Sequence, residues 1–207
     1  MQIIRNIIFD LGGVILDIDF KRMEESFIEL GITNFNDFFG LGHAASFFKE
    51  HESGRISDDE FLNSVQKLTG HSLPADAVQR AWNSLLISFP PERIALLKRL
   101  RSKYRLFLLS NTNGIHAAAF EKIYKDSFNN GSFSDLFDKI YYSHMIGFRK
   151  PDKNVYEYVL NDSQLDPQQT LLIDDALVNV EAAREAGMNA IHLQPGMRIL
   201  DLGLEYS

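Results

Sequence analysis

The chain has no cysteine among its 207 residues. This removes disulfides, thiolate metal ligands and a thiol nucleophile together, and a cytoplasmic location is the expectation. No apolar run approaches membrane-spanning length, and the first residues lack the basic, then apolar, then small-residue order of a signal peptide, so no membrane partner is expected. Basic excess is also missing: 21 Lys and Arg against 28 Asp and Glu leave a net charge of −7. A nucleic-acid partner is therefore not expected, because phosphate backbones demand clustered cations. The one basic run, KRLRSKYR at 98–105, reads as the end of an amphipathic helix and the turn into the next strand. There is no internal repeat and no low-complexity tract. What is present is 45% hydrophobic residues, ample for one domain or one domain carrying a smaller insertion.

Five short apolar runs read as strands: IIRNIIF (3–9), RLFLLS (105–110), KIYYS (139–143), TLLI (170–173) and NAIHL (189–193). Helical patterns lie between the later ones, at 115–124, 154–160 and 176–187, the last closing on Gly187. Alternating strands and helices predict a mostly parallel α/β sheet. Between the first two strands lie about ninety residues without a convincing strand, too many for an ordinary βα connection. They read as a helical insertion. FKRMEESFIEL ends at Gly31, SDDEFLNSVQKLTG starts with Ser57 and Glu60 in capping-box spacing and closes at Gly70, and PADAVQRAWNSLLI (74–87) carries Pro74 in its first turn. Pro90-Pro91 marks the return to the core. The apolar stretches at 35–40 and 45–50 fit the core of the insertion or a contact surface.

Ligands of open parallel sheets bind beyond the carboxyl ends of the strands. Here those positions hold Asp10, then Ser110 and Asn111, then the adjacent Asp174 and Asp175, while GFRKPD after the third strand offers Lys150. Each has a local structural reading: Asp10 as a turn former before glycine, Ser110, Asn111 and the aspartate pair as helix caps, and Lys150 as a solvated cation. Capping does not explain why three carboxylates should meet across a sheet. Close carboxylates repel unless a cation intervenes, and hard oxygen ligands suit Mg²⁺.

This order resembles the four motifs of the haloacid dehalogenase-like superfamily, with FDLGGV as the first, LLSNT as the second, FRKPD as the third and LLIDDALVNVEAAREAG as the fourth. The resemblance spans essentially the whole core and implies an α/β, Rossmann-like parallel sheet with an inserted all-helical cap of type 1. The expected boundaries are 1–16 and 90–207 for the core and 17–89 for the cap. It further implies a phosphatase working through an aspartyl-phosphate on a small phosphorylated substrate. Asp10 would be the nucleophile. Mg²⁺ would be held by Asp10, the Gly12 carbonyl, Asp175 and, directly or through water, Asp174. Ser110 and Lys150 would hold the transferring phosphoryl oxygens, with Asn111 beside them. An anionic nucleophile approaches an anionic phosphate only when such cations neutralise the charge between them.

One departure from the family pattern stands out. Most phosphatases and mutases of the superfamily carry a second aspartate, an acid and base, where this chain has Gly12. That help is typically worth about 10²- to 10⁴-fold, or roughly 3–5 kcal/mol of barrier. A good leaving group, such as an anomeric sugar phosphate or an acyl phosphate, would dispense with it. Alternatively Asp17, Asp19, His43, His51 or Glu52 could supply the proton. The first motif and HESGRISDDEF together look most like a bacterial subgroup that includes sugar-1-phosphate phosphatases, which favours the first explanation. In the HESGRIS loop, Glu52, Gly54 and Arg55 are expected to face the substrate, Gly54 permitting the turn and Arg55 suiting an anion, and Arg149 could do similar work. A phosphomutase leans on the missing aspartate, a dehalogenase needs no metal, and a receiver domain has its acidic pair in another chain order. A phosphate- or metal-binding module without turnover is the alternative from outside enzymology.

Overall fold

In the computed structural model, which describes residues 3–33, 35, 46–70, 72–128 and 131–206, the five apolar runs become one parallel sheet. Its strands are β1 (Asn6–Phe9), β4 (Arg105–Ser110), β5 (Lys139–Tyr142), β6 (Thr170–Asp174) and β7 (Asn189–His192), in the spatial order β5-β4-β1-β6-β7. Alternate residues of the central strands serve two different cores. Ile7, Phe9, Leu106, Leu108 and Ile173 pack on one face with Leu97 and Phe120, whereas Ile8, Phe107, Leu109 and Leu172 pack on the other with Val155, Tyr156, Val159 and Ala183. Both faces are thus covered, which is why these strands read as continuous apolar runs. The covering helices are α5 (Pro91–Leu100) and α6 (Gly114–Ser127) on the first face, and α8 (Lys153–Asp162) and α9 (Leu177–Glu185) on the second. A short α7 (Ser143–Ile146) follows β5.

The basic run at 98–105 falls as expected, on the end of α5, its turn and the first residue of β4. Gly31 and Gly187 both have positive φ just beyond their helices. Between β1 and β4 come α1 (Phe20–Glu29), α2 (Ser46–Glu52), α3 (Asp58–Thr69) and α4 (Ala75–Asn83). The capping box of α3 is formed as the spacing predicts: Ser57 N–H donates to Glu60 Oε2 at 2.8 Å and Glu60 N–H to Ser57 Oγ at 3.3 Å. Gly70 closes the helix at φ 68°. Pro74 stands one position before α4 rather than inside its first turn. Met23, Phe27, Phe61, Val65, Val78 and Trp82 form an apolar cluster of their own, which also buries Phe35 and Phe48 from the two apolar stretches.

One element was not expected. Asp17–Ile18 (β2) and Leu86–Ser88 (β3) pair as an antiparallel ribbon at the two ends of the insertion. The helix expected to run to residue 87 therefore stops at Asn83, and its last apolar residues belong to β3. Between the two strands, the regular elements among the described residues are all helical.

Candidate active site

The sheet register gathers the strand-end residues. Phe9 lies level with Leu108 on one side and Ile173 on the other, so Asp10 follows at the height of Leu109 and Asp174. Asp10 N–H donates to Ile173 O at 2.9 Å, which extends the ladder by one step and fixes the carboxylate at the sheet edge. The chain then turns sharply. The N–H groups of Ile15 and Leu16 both return to Leu11 O, and Gly13 takes a left-handed φ of 72°. A Cβ at Gly13 would collide with the carboxylate of Asp175. The second glycine of FDLGGV thus serves the backbone turn and the close approach of Asp175 together.

Lys150 is almost fully buried, and its ammonium lies 2.9 Å from Asp10 Oδ1 and 2.5 Å from Asp174 Oδ2. Burial opposes its charge, but the two carboxylates outweigh that and hold its pKa above the ordinary lysine value. Asp174 is inaccessible to solvent, and its Oδ1 accepts from Ala176 N–H and Asn179 Nδ2, each at 2.9 Å. Asp10, Asp174 and Asp175 present oxygens that all lie within 4.8 Å of one another. Burial, reinforced by the Asp174 and Asp175 charges and opposed by Lys150, pushes the Asp10 carboxyl up to about 7. Burial and the Asp174 charge likewise raise Asp175. Three carboxylates against one ammonium leave two uncompensated negative charges, which a divalent cation with a preference for oxygen ligands would neutralise.

Neither member of the polar pair at the end of β4 acts as a helix cap. Asn113 takes that role for α6, accepting from His116 N–H at 2.9 Å, which leaves Ser110 buried at the strand end. The Asn111 amide instead clamps the Lys150 backbone, donating to its carbonyl at 2.8 Å and accepting its N–H at 2.9 Å. Asn111 therefore orients the lysine while also lining the cavity described next.

A cavity of about 130 Å³ opens between the insertion and the sheet. Gly12, Ser110, Asn111 and Glu52 line it, and Ile18, Phe20, Trp82 and Leu86 give it apolar walls. A Cβ at Gly12 would meet Ile18 Cδ1 at 3.0 Å, so the space beside Gly12 is occupied by an aliphatic side chain. Of the alternative acids, Asp17 pairs with Arg93 at 2.9 Å and Asp19 caps α1, so both are engaged away from the cavity. The His51 ring is buried against Phe61 and bonded to Asp58 at 2.7 Å. His43 lies outside the described residues. Glu52 alone among them lines the cavity, where its Oε2 accepts from Arg149 Nη2 at 2.8 Å and Nε at 3.1 Å. Arg55 is exposed and stands outside the cavity lining, contrary to the expectation for it. Gly54 does meet the core: with φ 67°, its missing Cβ makes room for the His144 carbonyl.

His116 was missed in the sequence because it reads as an ordinary residue of a helix first turn. Its Nε2 lies 3.1 Å from Trp82 O and its Nδ1 lies 3.1 Å from Asn113 Nδ2. The first contact requires a proton on Nε2 and the second a free lone pair on Nδ1, which defines a neutral tautomer. Burial lowers its pKa to about 4, consistent with that state.

Comparison with known proteins decides the family: the model of the haloacid dehalogenase-like hydrolases matches residues 4–187. The chain belongs to that family. Among its relatives, D-ribitol-5-phosphate phosphatase of Bacteroides thetaiotaomicron is 31% identical over 93% of each chain. Sesquiterpene phosphatase of Aspergillus oryzae is 28% identical over 90% of this chain and 88% of its own. The crystal structure of a Bacteroides thetaiotaomicron enzyme of this family, in complex with magnesium and inorganic phosphate, superposes with a TM-score of 0.87 at 32% identity, covering 96% of this chain and 98% of that one. No helix among the described residues is long and apolar enough to cross a membrane.

Proposed function

We propose that this haloacid dehalogenase-like hydrolase is a Mg²⁺-dependent phosphatase of a small phosphorylated metabolite. The carrying observation is the triad of carboxylates from two adjacent strands, with Lys150 buried between Asp10 and Asp174. In this reading Asp10 Oδ attacks phosphorus in line, the ester P–O bond breaks, and water then hydrolyses the aspartyl-phosphate to regenerate Asp10. Lys150 and Ser110 hold the phosphoryl oxygens, and Asn111 keeps Lys150 in place through its backbone. Asp10, Asp174, Asp175 and the Gly12 carbonyl would hold Mg²⁺, which supplies charge neutralisation at the transferring phosphoryl group. Residues 1–16 and 90–207 form the catalytic core, and 17–89 form the cap that closes over it. Glu52 reaches from the cap to the substrate side, whereas Arg55 is left outside.

A sugar or sugar-alcohol phosphate is the leading substrate class, supported by the activity named for the bacterial relative. A sugar 1-phosphate fits Gly12 best, because its leaving oxygen needs least protonation. The apolar walls Ile18, Phe20, Trp82 and Leu86 favour a second reading, a phosphate ester of an apolar alcohol. Phosphate release with Mg²⁺ over a panel of sugar 1-phosphates, sugar 6-phosphates, ribitol 5-phosphate and isoprenyl monophosphates tests both. Saturable turnover that EDTA abolishes is the expected result, and the preferred member identifies the class. Binding without turnover across the panel would instead favour a phosphate-binding module.

A further inference from the structure

The basic run at 98–105 has no part in the chemistry above, yet it borders the largest polar cavity described in the molecule, about 690 Å³ at the amino-terminal edge of the sheet. The volume falls within the roughly 300–1,000 Å³ usual for small-molecule sites. Four segments that lead into strands line it: Arg5 before β1, Arg101, Lys103 and Arg105 before and at the start of β4, Asp138 before β5, and Gln164 with Gln169 before β6. It stands at the opposite end of the strands from Asp10, on the order of 13 Å away for a four-residue strand.

The charges are unevenly matched. Asp138 and Asp166 are the two carboxylates of the lining, and each accepts a backbone N–H, from Leu106 at 2.8 Å and from Gln168 at 2.9 Å. Lys103 is anchored on the Glu205 carbonyl, and the Arg105 guanidinium lies over the Phe107 ring. Arg5 and Arg101 form no ion pair among the described residues. Four cations against two carboxylates give a local positive excess on a chain whose net charge is −7.

A second, independent feature lies in the same lining. Gln164 is the non-glycine residue with positive φ among the described residues, at 51°. It ends α8, where Leu165 N–H returns to Leu160 O at 2.8 Å and Gln164 N–H to Asn161 O at 3.2 Å. Glycine is the residue that such a left-handed helix end ordinarily takes, since a side chain there is strained. A long amide is thus held at that cost on the wall of a basic cavity.

We propose that this cavity is a second anion site, which takes a compact oligophosphate, bound by Arg5, Arg101 and Gln164 and independent of the catalytic carboxylates. The phosphate chain of a nucleotide and free oligophosphate share that chemistry. The test is calorimetric titration of the full-length protein with tripolyphosphate and, separately, ATP, both in EDTA so that neither is hydrolysed. One site per chain is expected, weakened by roughly tenfold or more in Arg5→Ala/Arg101→Ala, with hydrolysis of p-nitrophenyl phosphate by that variant unchanged in Mg²⁺. Tighter binding of ATP than of tripolyphosphate assigns the site to nucleotides, and equal binding assigns it to the phosphate chain alone. Gln164→Gly separates ligand recognition from structure: its melting temperature should equal or exceed the wild type while oligophosphate binding weakens. No heat with the wild type, or equal affinity in the double variant, would overturn the proposal.

Discussion

The two glycines of FDLGGV look interchangeable in sequence, but the structure predicts opposite tolerance. Gly13 sits at φ 72°, and its absent Cβ is replaced by the Asp175 carboxylate. In Gly13→Ala the left-handed backbone alone costs about 1–2 kcal/mol. For a chain of this size each kcal/mol moves Tm by roughly 2–4 °C. The larger consequence is displacement of Asp175, which cannot keep its position beside an added methyl group. Gly12 has no positive φ, and its added Cβ would meet only the flexible end of Ile18 at 3.0 Å. Gly12→Ala should therefore cost less than about 1 kcal/mol, an ordinary value for a small shift in packing. Thermal melts with and without Mg²⁺, and Mg²⁺ titration of phosphate release, distinguish the two. The expectation for Gly13→Ala is a lower Tm and a Mg²⁺ requirement raised by roughly tenfold or more, equivalent to 1.4 kcal/mol of lost binding. A wild-type Mg²⁺ titration for Gly13→Ala, or a greater metal defect in Gly12→Ala, would refute the placement of Asp175.

Two further outcomes follow from the cavity. Glu52→Gln weakens the pairing with Arg149 that joins the insertion to the core, so KM should rise by roughly threefold to tenfold with a smaller change in kcat; an unchanged KM would show that Glu52 is remote from the bound substrate. His116 has its folded pKa lowered to about 4, below the unfolded value near 6.5, so the unfolded chain binds the extra proton between those values. Its stabilising contribution is complete above pH 6.5 and is lost as pH falls toward 4, by up to about 3 kcal/mol. Urea unfolding at pH 7 and pH 5 should show that slope and His116→Gln should reduce it, whereas identical slopes would contradict the neutral, doubly bonded ring.

The sheet was legible because β1, β4 and β6 are buried on both faces, which forces continuous apolar runs such as RLFLLS and TLLI. The meeting of Asp10, Ser110, Lys150 and the Asp174-Asp175 pair was legible because parallel strands put all their carboxyl ends on one edge. The ribbon was not, since a two-residue strand at Asp17–Ile18 has no period to read, and Leu86 and Ile87 continue the apolar pattern of the helix before them. Asp17, Asp19 and His51 had the right chemistry for a proton donor, but Arg93 and Asp58 are brought to Asp17 and His51 by tertiary packing, and Asp19 is taken by the local cap of α1. Arg55 carried a suitable charge on a suitable loop. Which way that loop turns depends on Gly54 meeting the His144 carbonyl, a long-range contact with no local signature.

The central claim, that Asp10 is the nucleophile of a phosphatase, is tested most directly by Asp10→Asn in Mg²⁺, with phosphate release measured on the best substrate of the panel. The amide has nearly the shape of the carboxylate but far weaker nucleophilicity. Release at the level of the protein-free control, with circular dichroism unchanged, is the predicted result. Turnover equal to the wild type would contradict the account.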